Sequence, residues 1–562
     1  MISVTGQEMN LKKRLQADIL LNTILTNGKA YFMNPLHKTE RIIYILTLCY
    51  MIPCGILLAF NTVFSLFQTT YMELYQEIEK PLYKADSPVF LLLLLCIFIG
   101  LSAFYFRKRA ADERLCRLFE KTALVYSVII CLLIIFIYRV NVACDSQSLS
   151  DIAVAFLNGD YSSFSGDEYL VHYPHQLGMI GFLELTYFIF GVNNFTVLQL
   201  INVIAIFSTV YFLHRIAEEL FHDFSVQIML SVLCFGLLPL YLYATFIYGD
   251  IPGMGFAMPA IYLVMRYLNT KKRTLIIPAS LCMAFAVLFK SNNSVILSAA
   301  LIILVLYSIS EKDWFSLVFA AALVLLPAAG TTLVDSYYVR ASGISALPEG
   351  IPKIAWIAMG LQENEYLENG WYNGYNWVTY SECGFDAEKT TQLCMESIKE
   401  SVNHFVSSPK SGLRFFYKKF ISQWNDPGFQ SQITNEWYSR HRDDHSPLAL
   451  SLIYGNGRLI LEGLMNIYHF FILLGAFAGT LFCIRKRSLP AAFLILCIFG
   501  GYFFHMFWEA GGRYGLGYFV LCVPIAAYGF WMLIKTTLTA CEKLAADRPR
   551  KENSNEIQTD CF

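Results

Sequence analysis

"PHQLGMIGFLELTYFIFG", residues 174–191, is the segment on which the orientation of everything after it depends. It is apolar but short, carries Glu184 and ends at Gly191. If it crossed a membrane, every later loop would change sides. The cluster Lys271, Lys272 and Arg273 would then face outward, against the tendency of Lys and Arg to collect in short cytoplasmic loops. The segment is therefore expected to be a re-entrant or interfacial helix. On that reading Asp145 and the loop "YGDIPGM", residues 248–254, lie on the same outer face.

The rest of the chain sets this choice in a membrane. Of its 562 residues 56% are hydrophobic and only 15% charged, with a mean hydropathy of +0.48. Soluble domains carry roughly 25% charged residues. The apolar residues gather into runs of the length that spans a bilayer, about 20 residues each. Spans are expected near 42–67, 88–106, 122–140, 195–215, 226–247, 251–268, 274–290, 294–310, 313–333, 458–484, 489–507 and 515–535. Backbone groups cannot go unpaired in lipid, so these are helices. No alternating ten-residue segments suggest a barrel, and no internal repeat stands out. The class is an all-α polytopic membrane protein with about 12 transmembrane helices.

Basic residues orient it. Arg107, Lys108, Arg109, Arg114, Arg117 and Lys121 form one loop, and Arg485, Lys486 and Arg487 another. Lys12, Lys13, Arg14, Lys38 and Arg41 near the start, and Lys543, Arg548, Arg550 and Lys551 near the end, agree with them. All are expected on the cytoplasmic side, with both termini. The first 41 residues lack the apolar core and cleavage site of a signal peptide. A net charge of −1 provides no global field to attract nucleic acid. Most of the 15 cysteines lie in apolar runs, where they act as small hydrophobes. Cys144, Cys383 and Cys394 lie in polar stretches and are weak disulfide candidates. A divalent cation is compatible with the chain but indicated by no ligand spacing, and no cofactor is implied.

Two outer regions are long, 141–194 and 334–457. In the first, Leu149, Ile152, Ala153, Phe156 and Leu157 fall at helical spacing, an amphipathic surface helix beginning just after Asp145. In the second, "SGLRFFYKKFISQW" places Leu413, Phe416, Tyr417, Phe420 and Trp424 on a stripe flanked by Arg414, Lys418 and Lys419. This suits an interface with anionic lipid.

The candidate chemistry lies at the ends of spans. Asp145, in "YRVNVACDSQSLSD", and Asp250, in "FIYGDIPG", are carboxylates beside the hydrocarbon, an expensive position usually tied to function. The plain alternative is that each marks a helix end in water. Lys290 closes the run "MAFAVLFKSNNS" on the outer side, against the charge bias. Arg513, in "HMFWEAGGRYGLGYF", is either the partner of Glu509 in a loop ion pair or a planar clamp for phosphate. Two carboxylates and two cations on one face suit transfer from a phosphate leaving group to a hydroxyl. One acid takes the proton and the cations stabilise the departing phosphate. Nucleotide sugars are cytoplasmic, so the donor expected outside is a lipid-linked phosphosugar. As metal ligands His172 and His175 lack partners at a recognisable spacing; they read instead as polar loop residues or as lining the acceptor site. Trp371, Tyr372 and Tyr375 are candidates to stack on a sugar, or simply interfacial aromatics.

An acid after an early span, two surface helices ending in "FGVNNF" (190–195), and a span closing in "FLHRIAEELF" together resemble the membrane-embedded C-type glycosyltransferases. Within that superfamily (GT-C) the resemblance is to the protein O-mannosyltransferase-like and aminoarabinose transferase-like group, family 39 in the broad sense. It covers roughly residues 122–535. It implies that Asp145 is the catalytic base and Asp250 the second outer acid. It also implies that Lys290, Arg513 and Tyr514 bind the donor phosphate, that the donor is a polyprenyl-phosphate sugar, and that the anomeric centre inverts. His172, His175, Trp371, Tyr372 and Glu509 are weaker candidates for the acceptor or sugar site. Relatives often have adjacent acids where Asp145 is followed here by Ser146 and Gln147, and two spans here precede the family-like core.

The expected division is a cytoplasmic tail, 1–41; two accessory helices and a basic loop, 42–121; a GT-C-like core, 122–333; an extracytoplasmic loop, 334–457; C-terminal helices, 458–535; and a tail, 536–562. The expected location is the bacterial plasma membrane. The expected partners are the lipid-linked donor, membrane lipids and an acceptor that is a glycan, lipid or protein. A transporter or lipid-linked glycan flippase is the main alternative, since twelve spans fit that class. Transporters, however, place ionisable residues near the midplane. A glycan polymerase or ligase of the same superfamily is the third reading.

Overall fold

A computed structural model describes residues 38–75, 78–109, 111–364, 367–440 and 442–546. Most of the two tails assigned to the cytoplasm, with Lys12, Lys13, Arg14, Arg548, Arg550 and Lys551, lies outside the described residues. The described residues form a helical bundle with one small sheet, and the long helices follow the apolar runs. Among the described residues ten helices are long and apolar enough to cross a membrane. The expected span 226–247 is a pair, Phe224–Cys234 and Leu238–Thr245, bent by 48°. The expected span 274–290 is the shorter helix Ile276–Phe289. Its 14 residues rise only about 21 Å, less than the roughly 30 Å hydrocarbon core. The twelve expected segments thus become ten long helices, one bent pair and one short helix. This is an integral multi-pass membrane protein.

Leu177–Phe190 is a helix of 14 residues, too short to span, as the reading of residues 174–191 requires. It packs on the Cys144–Leu157 helix, on the short 276–289 helix and on Phe315–Ser342. The amphipathic pattern after Asp145 is also present: Leu149, Ile152, Ala153 and Phe156 are buried.

The helices Asn456–Lys486 and Gly512–Ala546 pack closely side by side. A Cβ on Gly529 would lie 2.0 Å from the Gly475 carbonyl oxygen, so only glycine permits this backbone approach. At one end of the bundle, basic side chains are tied to neighbouring helices. Arg215 bonds Glu120 and Glu218, Arg266 bonds Glu219, and Lys486 donates to the Leu220 carbonyl.

The other end carries a cap of helices from residue 354 to residue 454. It has its own apolar core of Ile351, Ala355, Ala358, Tyr380 and Cys394, joined by Val171 from the first long loop. Within it the stripe expected on "SGLRFFYKKFISQW" is present only in part. Leu413 and Tyr417 are exposed, while Phe415, Lys419, Ser422 and Trp424 are buried. Lys419 is therefore no part of a lipid-facing flank. Its ammonium donates to the carbonyls of Gly360 and Trp508. No disulfide joins Cys144, Cys383 or Cys394.

A two-stranded antiparallel sheet, β1 (Gln68–Tyr75) and β2 (Ile78–Ala85), joins the first two long helices. It reaches into the cap. Thr70 N–H donates to the Asn425 carbonyl at 3.1 Å, and the Asn425 amide to the Gln68 carbonyl at 2.6 Å.

Candidate active site

Asp145 lies in the first turn of Cys144–Leu157, Asp250 in the first turn of Asp250–Thr270, and Arg513 and Tyr514 in the first turn of Gly512–Ala546. Lys290 caps the end of Ile276–Phe289. Four helix ends therefore meet at the cap end of the bundle. A carboxylate in a first turn is favoured by the helix dipole, and an arginine there is not. Arg513 holds its place through neighbours. Its guanidinium is 3.8 Å from the Asp145 carboxylate and lies over the rings of Tyr514 and Tyr248, at 5.2 and 5.5 Å.

Lys290 forms the second half of the charge cluster. Its ammonium is 3.0 Å from Asp250 Oδ2 and packs over Tyr248 at 4.6 Å and Tyr514 at 5.4 Å. The approach depends on Gly249, where a Cβ would sit 1.9 Å from the Phe289 carbonyl oxygen. Any side chain at 249 would push the 250–270 helix away from the turn that carries Lys290. Burial lowers the Lys290 pKa, and Asp250 pulls it back up.

These groups border a cleft of about 1340 Å³ under the cap, lined by Asp145, Lys290, Arg513, Tyr514, Glu509 and His175 among others. Asp145 and Asp250 differ in access. The Asp145 side chain is 47% exposed and the Asp250 side chain 13%. Asp145 faces the open cleft, whereas Asp250 is enclosed against Lys290.

Glu509 does not take Arg513 as an ion-pair partner; it accepts from Tyr514 Oη at 3.3 Å, and Arg513 turns toward Asp145. Burial raises the Glu509 pKa to about 7, partly offset by Arg513. Burial lowers that of His175 to about 4, with Lys290 and Lys353 acting in the same direction. His175 is thus a neutral imidazole in the cleft wall. His172 is fully buried, stacked on Trp377 at 3.4 Å and bonded to Asp167 at 2.6 Å. Its ring is committed to packing.

Trp371 is buried as well. Its indole N–H donates to Ser422 at 2.9 Å, and its segment is fastened to the rim where Ala510 N–H donates to the Gly370 carbonyl at 2.8 Å. Tyr372 is half exposed and faces the cleft. Among the described residues no group of three His, Cys, Asp or Glu side chains is placed to hold a metal.

Sequence reasoning missed several cleft residues. Tyr248, whose ring supports both cations, stands two residues before Asp250. Trp356 and Trp508 stack parallel, with ring centroids 5.6 Å apart. Glu79, on β2, reaches the cleft from the sheet between the first two helices. Only the alternation in "YMELYQEIEKPLYK", residues 71–84, signals that sheet.

Residues 178–330 match the family model described as dolichyl-phosphate-mannose-protein mannosyltransferase. The match contains Asp250 and Lys290 and stops short of Arg513. The match lies in the central helices of the chain. Among solved structures it is similar to ArnT from Cupriavidus metallidurans in the apo state, at 11% identity and a TM-score of 0.30, covering 73% of this chain and 77% of that one. It is also similar to the same protein bound to undecaprenyl phosphate, at 14% identity and a TM-score of 0.32, covering 75% and 78%. A search of curated proteins finds no match.

Proposed function

We propose that this protein transfers a sugar from a polyprenyl-phosphate-linked donor to an acceptor hydroxyl on the extracytoplasmic face. One observation carries the reading: a half-exposed carboxylate, Asp145, faces a cleft across from Arg513, with Lys290 beside it. The match of residues 178–330 to a family named for a lipid-phosphate sugar donor supports it.

In the proposed step the acceptor oxygen attacks the anomeric carbon as its proton passes to Asp145. The bond from that carbon to the phosphate oxygen breaks, and its electron pair leaves with the polyprenyl phosphate. Arg513 and Lys290 balance the charge that gathers there, the kind of fixed electrostatic support that lowers a transition state. Tyr514 and Tyr248 hold the two cations in place. Asp250 positions Lys290 and does not take the proton. A single base and a direct displacement invert the anomeric centre. The cleft exceeds the roughly 300–1,000 Å³ of an ordinary small-molecule site, which suits donor head and acceptor together.

The test is transfer by the purified protein in nanodiscs, with labelled polyprenyl-phosphate sugars and membrane extract as acceptor. Label in a new covalent product supports the reading and names the sugar. No product from any donor, with flux of a lipid-linked sugar between vesicle leaflets, would establish the flippase instead.

A further inference from the structure

The sheet of β1 and β2 belongs to the two helices that precede the family-like core, yet it touches the site. Its strands are anchored to the cap and to the helix Asn456–Lys486. Thr70 Oγ1 donates to the Ile421 carbonyl at 3.0 Å, Arg458 donates to the Met72 carbonyl at 3.0 Å, and Tyr83 Oη donates to Glu368 at 2.7 Å. Glu79 pairs with Leu74 near the tip and lines the cleft.

From Glu79 a chain of hydrogen bonds leads to the arginine. The Gln430 side-chain amide donates to the Glu79 carboxylate. The other end of that amide, Oε1, accepts from the Arg513 backbone N–H at 2.8 Å. Gln430 itself has a left-handed backbone, φ 63°, an uncommon state for a residue with a side chain. Asp426 holds it there by accepting from Gln430 N–H at 2.7 Å and Gly428 N–H at 2.9 Å. The amide of Gln430 is therefore fixed at both ends, and its orientation is set by the carboxylate on the sheet.

We propose that the accessory sheet is part of the active site and that Glu79, acting through Gln430, is a positioning residue for Arg513. The inference rests on the reading of Arg513 as the phosphate-facing cation. It gives the two extra N-terminal helices a role: they deliver the sheet that fixes where the clamp begins.

The experiment measures binding of a polyprenyl phosphate of defined length to the full chain in nanodiscs, beside sugar transfer. Glu79→Ala removes the acceptor for Gln430 and is expected to weaken binding about tenfold. Glu79→Gln keeps an acceptor and is expected to bind within about twofold of wild type. Glu73→Ala, on the exposed face of β1, controls for damage to the sheet. If Glu79→Ala does not yield folded protein, Gln430→Glu serves, since it faces Glu79 with no donor. Combining it with Glu79→Gln restores a donor and should restore binding. Folded Glu79→Ala with wild-type binding, or no rescue by the exchanged pair, overturns the inference and leaves the proposed function standing. Wild-type protein that neither binds polyprenyl phosphate nor transfers sugar removes both.

Discussion

The guanidinium of Arg513 stands 3.8 Å from the carboxylate of Asp145, although 368 residues separate them in the chain. The distance is too long for a strong hydrogen bond. Apart from a long bond from one guanidinium nitrogen to Tyr514 Oη, at 3.4 Å, it leaves the planar donors of the arginine to a third group between or beside the two. A phosphate fits that arrangement better than an ammonium does, because the fork can bind two oxygens at once.

Replacing Arg513 by lysine keeps the charge and loses the fork. Binding of polyprenyl phosphate is expected to weaken by about tenfold to hundredfold. Titration of nanodisc-bound protein with the lipid measures this directly. Unchanged affinity would mean that the guanidinium geometry is not used.

Gly249→Ala tests how Asp250 and Lys290 are brought together. The added Cβ meets the Phe289 carbonyl at 1.9 Å, and backbone cannot yield as a flexible side chain can. A loss on the order of 1–3 kcal/mol is expected from such overpacking. Thermal unfolding in detergent should show it, with sugar transfer falling in the fraction that stays folded. A variant as stable and active as wild type would show that the turn can shift at no cost.

Glu509 makes stability depend on pH. Burial holds its folded pKa at about 7, above the ordinary 4.5. Between these values the folded state keeps a proton that the unfolded state releases. Its contribution is complete below pH 4.5 and is lost as pH rises through 7. Asp426, raised by burial to about 7, adds a slope of the same sign. Unfolding midpoints from pH 4.5 to 8 should therefore fall less steeply in Glu509→Gln than in wild type. Identical slopes would remove Glu509 from this account.

Much of the site could be read from span ends. Asp145, Asp250, Lys290 and Arg513 stand where apolar runs stop, and the cost of charge near lipid singles such residues out. The structure brings Asp145, Lys290 and Arg513 to one cleft, with Asp250 enclosed behind Lys290. The 276–289 helix escaped because an apolar run ending in a charge reads as a span whether it covers 14 residues or 20. Lys419 reads as part of a basic flank toward anionic lipid, because local periodicity cannot show that the carbonyls of Gly360 and Trp508 would receive it. Trp371 reads either as a candidate to stack on a sugar or as an interfacial aromatic; the structure buries it, with its indole N–H on Ser422. The alternation in residues 71–84 hints at the sheet bearing Glu79, but where the sheet docks is illegible for a stronger reason. Its anchors at residues 421 and 425 lie some 350 positions away, as the 351 between Thr70 and Ile421 shows, and no local pattern announces such pairing.

The central claim is that Asp145 takes the proton from the acceptor. Its most direct test is Asp145→Asn, followed by single-turnover sugar transfer and by polyprenyl-phosphate binding on the same preparation. The account predicts near-normal binding with transfer slowed by about 10²–10⁴-fold, the usual contribution of a general base. Transfer at the wild-type rate by the folded variant would contradict it.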